Sequence, residues 1–560
     1  RVNRKKGEHK GRIKGSPISI GAGYPRMEVS MKEIIINTDK NKPGIGKVKH
    51  YWSNCVGAGR ACEGLRADWR RQLREAREAC GFRYIRFHGL LSDDMGVCIR
   101  ENGSLRFHWQ YIDSLFDFLL SIGMRPFVEF GFMPSALASG ETTMFWWKGN
   151  VTPPSDYDAW GELITALVLH WKERYGLEEI RKWYYEIWNE PDLSVFWDGS
   201  RSEYFRLYES AVRAVKAIDP KLRVGGPATS NFVPDDRFTG EREDLSKHKT
   251  HLVEDLESLE WKGVWIQEFL EFAADRNLPV DFVSTHPYPT DFALGGQQRP
   301  DGGMAGRTRY VRALRDDIGW LKETIAKSPF PDVEIHLTEW SSSPCSRDYS
   351  HDFLPEASYI IRSNIENIGR VDSLSYWVFT DIFEEEGPGP QDFHGGFGLM
   401  NLQGIRKPSF HAYRMLHELG DEIVDQGEGY LITRRADQKL RILIWNYDMR
   451  KDRPVPMSMY PDYHTAEAFR DSGEEAYMNL EISHLAPGQA FGVEVLDKEH
   501  GCAAAAWGKL GYPANMNQEQ MKVIKAASET RHYVVQAQEN GSLKLNVKLG
   551  AYAVLAVREL

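Results

Sequence analysis

The sequence predicts an α/β protein, a (β/α)8 barrel of the TIM type with an accessory antiparallel β-sandwich domain. Between about residue 50 and residue 420, short apolar runs alternate with stretches of helical spacing. The runs number eight, which is the count that closes such a barrel. Beyond about residue 425 the alternation gives way to short period-2 runs between turn-rich segments, the pattern of a sandwich. The expected division is an arm and strands at 1–48 that join the sandwich, a barrel at 49–420 and a C-terminal β-sandwich at 421–560.

In chain order the strand candidates are YWSNCVG (51–57), FRYIRFH (82–88), RPFVEF (125–130), WYYEIWN (183–189), LRVGG (222–226), VDFVSTH (280–286), VEIHLTE (333–339) and LSYWVFT (374–380). Continuous apolar runs suit strands buried on both faces. Steps of three and four residues place Trp109, Ile112, Phe116 and Leu119 on one helical face. The same spacing groups Trp160, Leu163, Leu167 and Trp171, and then Tyr310, Leu314, Ile318, Leu321 and Ile325. The charged stretch GEREDLSKHKTHLVEDLESLE reads as an insertion with a short helix over the barrel rim. LITRR, KLRILIWNYD, FGVEVLD, RHYVVQAQ and LKLNVKLGAYAVLAVREL supply the sandwich strands, and PISIGAGYPRMEVSMKEIIIN adds to them.

Composition narrows the function classes. With 560 residues, 42% hydrophobic, the chain has ample length for a large core. A net charge of -10 argues against nucleic acid as partner, and the basic start RVNRKKGEHKGRIKG reads as a solvated arm. No run approaches the roughly eighteen apolar residues of a membrane span. The six cysteines form no CxxC pair and read as reduced, buried thiols, which favours a cytoplasmic home. The chain begins at Arg1, so a removed leader, and with it secretion, stays open. GAGRAC (57–62) has two glycines of a dinucleotide loop but Cys62 at the third position, so no nucleotide cofactor is expected. No HExxH or tight His/Asp pair is present, so no metal is expected either.

The chemistry concentrates in WYYEIWNEPDL and EIHLTEWSSSP. Each places a glutamate, Glu190 or Glu339, at the end of an aromatic strand just before a turn. In a (β/α)8 barrel both then face the catalytic end. Two carboxylates so placed are what glycoside hydrolysis requires: one protonates the leaving oxygen, the other attacks or stabilises the sugar cation. His88 and His286 end the second and sixth runs at the same face. Asn189, beside Glu190, is a candidate to hold a sugar hydroxyl. His286 and Tyr288 are candidates to bond Glu339 and keep it ionised. Glu384, Glu385 and Glu386 follow the eighth run, and Trp377 within it is a candidate hydrophobic platform for a sugar ring.

The strings CVGAGRA, YIRFHGLLSDDMGV, RPFVEFGFMPSALASG, GNVTPP, EIWNEPDL, VGGPA, PVDFVSTHPY, HLTEWSSS, SYWVFTDIFEE, HGGFGL and LITRR run in one order through about 50–445. Together they resemble glycoside hydrolase family 39, and within it the bacterial β-D-xylosidases. The resemblance implies a retaining mechanism with Glu190 as acid/base and Glu339 as nucleophile. It implies that His88, Asn189, His286, Tyr288, Trp377 and Glu385 contact sugar or orient the nucleophile. It implies a small carbohydrate as substrate, no cofactor, and a homo-oligomer as one arrangement. Two features depart from the pattern: Thr285 stands where an Arg precedes the strand-six histidine, and the charged segment at 235–262 is extra. The alternatives are an α-L-iduronidase-like, arabinosidase or β-glucosidase activity, and an inactive carbohydrate-binding protein.

Overall fold

The computed structural model describes residues 32–234, 260–291, 297–298, 304–305, 307–447 and 463–560. The basic start, most of the charged insertion and the first part of the expected N-terminal strands lie outside these residues.

The eight apolar runs form one closed barrel of parallel strands. They are β1 (Cys55–Arg60), β2 (Tyr84–His88), β3 (Arg125–Phe130), β4 (Tyr184–Ile187), β5 (Arg223–Thr229), β6 (Phe282–Thr285), β7 (Glu334–Trp340) and β8 (Ser373–Tyr376). Pairing of Tyr376 with Val56 closes β8 on β1. The strand β8 is shorter than LSYWVFT suggests and stops one residue before Trp377.

Side chains alternate faces along a strand, so residues two apart share the barrel interior. The interior is therefore layered. At the amino end Cys55, Phe127, Tyr184 and Phe282 form an apolar plug, with the His336 ring packed on Tyr184. Two residues further along β2, β3, β4 and β7 come Arg86, Glu129, Glu186 and Thr338, a buried polar layer. The catalytic end lies above it.

The expected helical faces bury as the spacing requires. Ile112, Phe116 and Leu119 are buried on the helix Gln110–Ser121, and Trp160, Leu163, Leu167 and Trp171 on the helix Tyr157–Tyr175. Asp156 caps the latter, its side chain accepting from the backbone N–H groups of Asp158 and Ala159.

The C-terminal region pairs a seven-stranded sheet with a three-stranded one. Ile34, Ile36, Ile432, Ile442, Met478, Leu480, Val493 and Leu555 are among the residues of the core between them. Two details differ from the antiparallel expectation. Lys32–Asp39 pairs parallel with Ala476–Ser483, because this strand enters from the far end of the chain rather than from a hairpin. Helices Ala503–Lys509 and Gln518–Ala527 interrupt the strands. From the first of these, Trp507 packs on Phe393 of the barrel region.

Candidate active site

Glu190 and Glu339 meet above the polar layer. Carboxylate oxygens of the two and a ring nitrogen of His286 all lie within 4.8 Å of one another. Both glutamates are buried. Glu190 follows β4 on a backbone with φ +44°, and Trp188 two residues earlier has φ +72°. Such conformations are costly for side-chain-bearing residues and persist where the surroundings hold them. Here the Glu190 N–H donates to the Ala228 carbonyl at 2.8 Å, and the Trp188 indole N–H donates to the Phe196 carbonyl at 2.8 Å. Asp192 accepts from the Ser230 N–H at 2.8 Å, which ties the same turn to the loop after β5.

Arg86, fully buried on β2, organises the centre. Its Nη1 donates to Glu339 Oε1 at 2.8 Å, its Nε to Glu186 Oε2 at 2.5 Å and its Nη2 to Asn189 Oδ1 at 2.9 Å. Nη2 also lies 3.0 Å from Glu129 Oε2. The tie to Asn189 fixes that amide, because a guanidinium only donates: Oδ1 faces Arg86 and the NH2 is left for another acceptor. The Tyr288 hydroxyl donates to Glu339 Oε2 at 3.0 Å, as the sequence suggests.

His286 behaves differently from expectation. Its Nδ1 is 2.8 Å from Glu190 Oε1 and 3.7 Å from Glu339 Oε2, so its hydrogen bond is to Glu190. Its Nε2 is 3.1 Å from the Thr338 hydroxyl, which donates to Glu186 Oε1 at 2.8 Å. A hydroxyl has one proton, so Thr338 accepts from His286 Nε2–H. Burial holds the imidazole neutral, well below its usual pKa. Nδ1 is then a bare acceptor, and the proton in the His286–Glu190 bond belongs to Glu190.

The electrostatics agree with that placement. Burial, then the neighbouring charges of Glu339 and Asp192, push Glu190 well above the usual carboxylate range. Burial raises Glu339 too, but Arg86 opposes it. The proton shared by the pair therefore resides on Glu190.

The remaining predicted residues line the same space. His88 is held neutral by burial, its pKa lowered to about 3. Its Nδ1 is 2.7 Å from Glu129 Oε2, while Nε2 lies 3.6 Å from Glu339 and 3.5 Å from Glu385. Burial raises Glu385 well above its usual pKa, and its Oε1 has no hydrogen-bond partner in the protein. The Trp377 ring lies 4.7 Å from the His88 ring centroid. It covers Gly57, where a Cβ would stand 2.4 Å from Trp377 Cε3. Thr285 turns away from this group, its hydroxyl donating to the Thr229 carbonyl at 3.0 Å.

Glu190, His286 and Glu339 have a donor set that a transition metal accepts. Each donor is already engaged, however, and the Arg86 guanidinium beside Glu339 repels a cation. Sequence reasoning missed Arg86, Glu129, Glu186 and Thr338. The available signal was charge inside an apolar run at an even spacing from a candidate residue: Arg86 two residues before His88, and Glu186 four residues before Glu190.

Residues 34–247 and 259–544 match the family described as Glycosyl hydrolases family 39. The chain belongs to this family. It is 36% identical over 533 residues to a β-xylosidase of Caldicellulosiruptor saccharolyticus, covering 94% of this chain and 98% of that one. It is 37% identical over 507 residues to a β-xylosidase of Geobacillus stearothermophilus, covering 88% and 89%. The crystal structure of the family 39 enzyme from Xanthomonas axonopodis pv. citri superimposes with a TM-score of 0.81 at 32% identity, covering 96% of this chain and 99% of that one. This family 39 chain is thus a glycosidase with a (β/α)8 barrel. Among its described residues, no helix is long and apolar enough to cross a membrane.

Proposed function

We propose that the chain is a retaining β-D-xylosidase that releases xylose from the non-reducing end of β-xylosides and xylo-oligosaccharides. The approach of Glu190 and Glu339 carries the mechanism: oxygens within 4.8 Å leave no room for an attacking water as well as the sugar between acid and base. That closeness fits the separation of about 5–5.5 Å typical of double displacement rather than the wider gap of inversion. Near-full-length similarity to two β-xylosidases supports the sugar.

In the first step a Glu339 oxygen bonds to the anomeric carbon as the bond to the leaving oxygen breaks. Glu190 gives that oxygen its proton. The product is a glycosyl ester on Glu339. Esterification removes the Glu339 charge, so the pKa of Glu190 falls and it becomes a base. In the second step water attacks the anomeric carbon, its proton passes to Glu190, and the ester bond breaks with net retention. Asn189 offers its NH2 to the sugar 2-hydroxyl, where hydrogen bonds strengthen in the transition state. Glu385 and His88 Nε2 hold further hydroxyls, over a floor formed by Trp377.

A uronic acid substrate fits this pocket poorly. Its carboxylate needs a cation with free donors. Arg86, however, is already taken up, bonding or closely contacting Glu339, Glu186, Asn189 and Glu129.

Nitrophenyl β-D-xyloside, α-L-arabinoside, β-D-glucoside and α-L-iduronide test the reading together. The expected result is strongest turnover of the β-xyloside, abolished in Glu339→Ala. Turnover of the iduronide alone, or full activity in Glu339→Ala, would overturn it. Sugar binding without turnover on the whole panel would support the inactive binding protein instead.

A further inference from the structure

The rim beside Glu385 holds an aromatic ring that the account of the pocket leaves unused. Residues Thr143–Met144 and Gly149–Asn150 form a short hairpin whose turn is Phe145-Trp146-Trp147-Lys148. Its three aromatic residues go to different places. Phe145 turns inward, stacked 5.9 Å from the His88 ring. Trp147 also turns inward, stacked 5.8 Å from Phe132 with the Arg60 guanidinium 5.3 Å from its own ring. Trp146 is left outside, 61% exposed.

The backbone of Trp146 is nonetheless fixed. Its N–H donates to the Glu385 carbonyl at 2.7 Å. Its ring lies alongside Gly387, where a Cβ would stand 3.5 Å from Trp146 Cγ and Cδ1. The hairpin turn carries φ +68° at Phe145 and φ +58° at Lys148, which the inward packing of Phe145 and Trp147 sustains. The same residue, Glu385, thus sends its carboxylate down to His88 and bonds Trp146 through its backbone at the rim. A large apolar ring held open to water beside a sugar pocket loses the stabilisation that burial gives, unless something covers it in use.

We propose that Trp146 is a leaving-group platform: its face stacks on the pyranose ring that departs when the glycosidic bond breaks. The glycone sits below, between Trp377, His88 and Glu385. The next sugar of a β-xylo-oligosaccharide emerges at the rim, where its C–H face meets the indole. Trp146 is thus a specificity residue for the aglycone and takes no part in the bond-breaking chemistry. The inference rests on the β-xylosidase reading given above.

The test compares xylobiose, whose leaving group is a pyranose, with β-D-xylosyl fluoride, whose leaving group has no ring. In Trp146→Ala, kcat/KM for xylobiose falls about tenfold, the size expected of one aromatic stacking contact. For the fluoride it stays within about twofold of wild type, because the glycone site is untouched. Trp146→Phe retains most of the xylobiose activity. Equal losses on both substrates, or an unchanged rate on xylobiose, would overturn the platform while leaving the β-xylosidase reading intact. A wild-type enzyme inert on both substrates would overturn that reading and the platform with it.

Discussion

Arg86 is the residue whose removal tells most about how the pair of glutamates works. It is the cation that contacts the nucleophile candidate directly, with Nη1 2.8 Å from Glu339 Oε1. In Arg86→Met the apolar volume is roughly kept and the charge is lost. At an effective dielectric of about 20, unit charges about 4 Å apart interact by about 4 kcal/mol. One pH unit corresponds to about 1.36 kcal/mol, so the loss raises the pKa of Glu339 by at most about three units. Water entering the emptied site offsets part of this, which leaves an expected rise of about one to two units. The acid limb of kcat/KM against pH belongs to Glu339, since the attacking group must be ionised, so it moves to higher pH by that amount. The assay is the pH profile of kcat/KM on nitrophenyl β-xyloside, with thermal unfolding measured alongside. Stability falls by about 3–5 kcal/mol, because Glu186 and Glu129 lose their buried cation. Arg86→Lys, which keeps a charge but loses the fork, falls between. An acid limb that stays in place in a folded Arg86→Lys or Arg86→Met protein would refute the reasoning.

Three further outcomes follow from the same geometry. Glu190→Gln, which keeps shape and removes the proton donor, abolishes the basic limb of the profile and slows poor leaving groups far more than activated aryl xylosides; comparing the two substrate classes checks it. Thr338→Val removes the acceptor for His286 Nε2–H, so His286 takes the Nδ1–H tautomer and donates to Glu190; this favours the charged carboxylate, and the basic limb moves to lower pH. Gly57→Ala places a methyl 2.4 Å from Trp377 Cε3, so the ring must shift and KM for β-xylosides rises about tenfold with the fold intact by circular dichroism.

Much of the barrel was legible because its strands are buried on both faces and read as mainly apolar runs rather than as apolar–polar alternation. That Glu190 and Glu339 meet at one end of the barrel was legible because strand-end glutamates in aromatic surroundings are unusual. Arg86, Glu129 and Glu186 were not, because a strand candidate invites reading every member as core, and the layer they form becomes visible only when eight strands are put in register. His286 was assigned to Glu339 because both end strands at the same face. Which carboxylate it meets depends on the turn at Trp188–Glu190, whose positive φ values no residue type there announces. The parallel pairing of Lys32–Asp39 with Ala476–Ser483 was hidden for another reason: alternation tells which face is buried, and says nothing of which distant strand lies alongside.

The division of labour between two chemically identical side chains reduces to what each can hydrogen-bond. Glu339 faces two donors, the Arg86 guanidinium and the Tyr288 hydroxyl, so its ionised form is satisfied. Glu190 faces an imidazole whose other nitrogen gives its proton to Thr338, so it meets an acceptor and its protonated form is satisfied. Arg86 and Thr338 both end on Glu186, one at each oxygen. That carboxylate, below the reacting centre, anchors both halves of the asymmetry at once. Glu186→Gln separates them: a guanidinium cannot accept, so the amide keeps its oxygen on Arg86 and turns its NH2 to Thr338, which then donates to His286 Nε2. His286 Nδ1–H then donates to Glu190, and the basic limb of the pH profile should move to lower pH while the acid limb does not rise. An acid limb that rose in this variant would show that Arg86, not Thr338, had lost its partner.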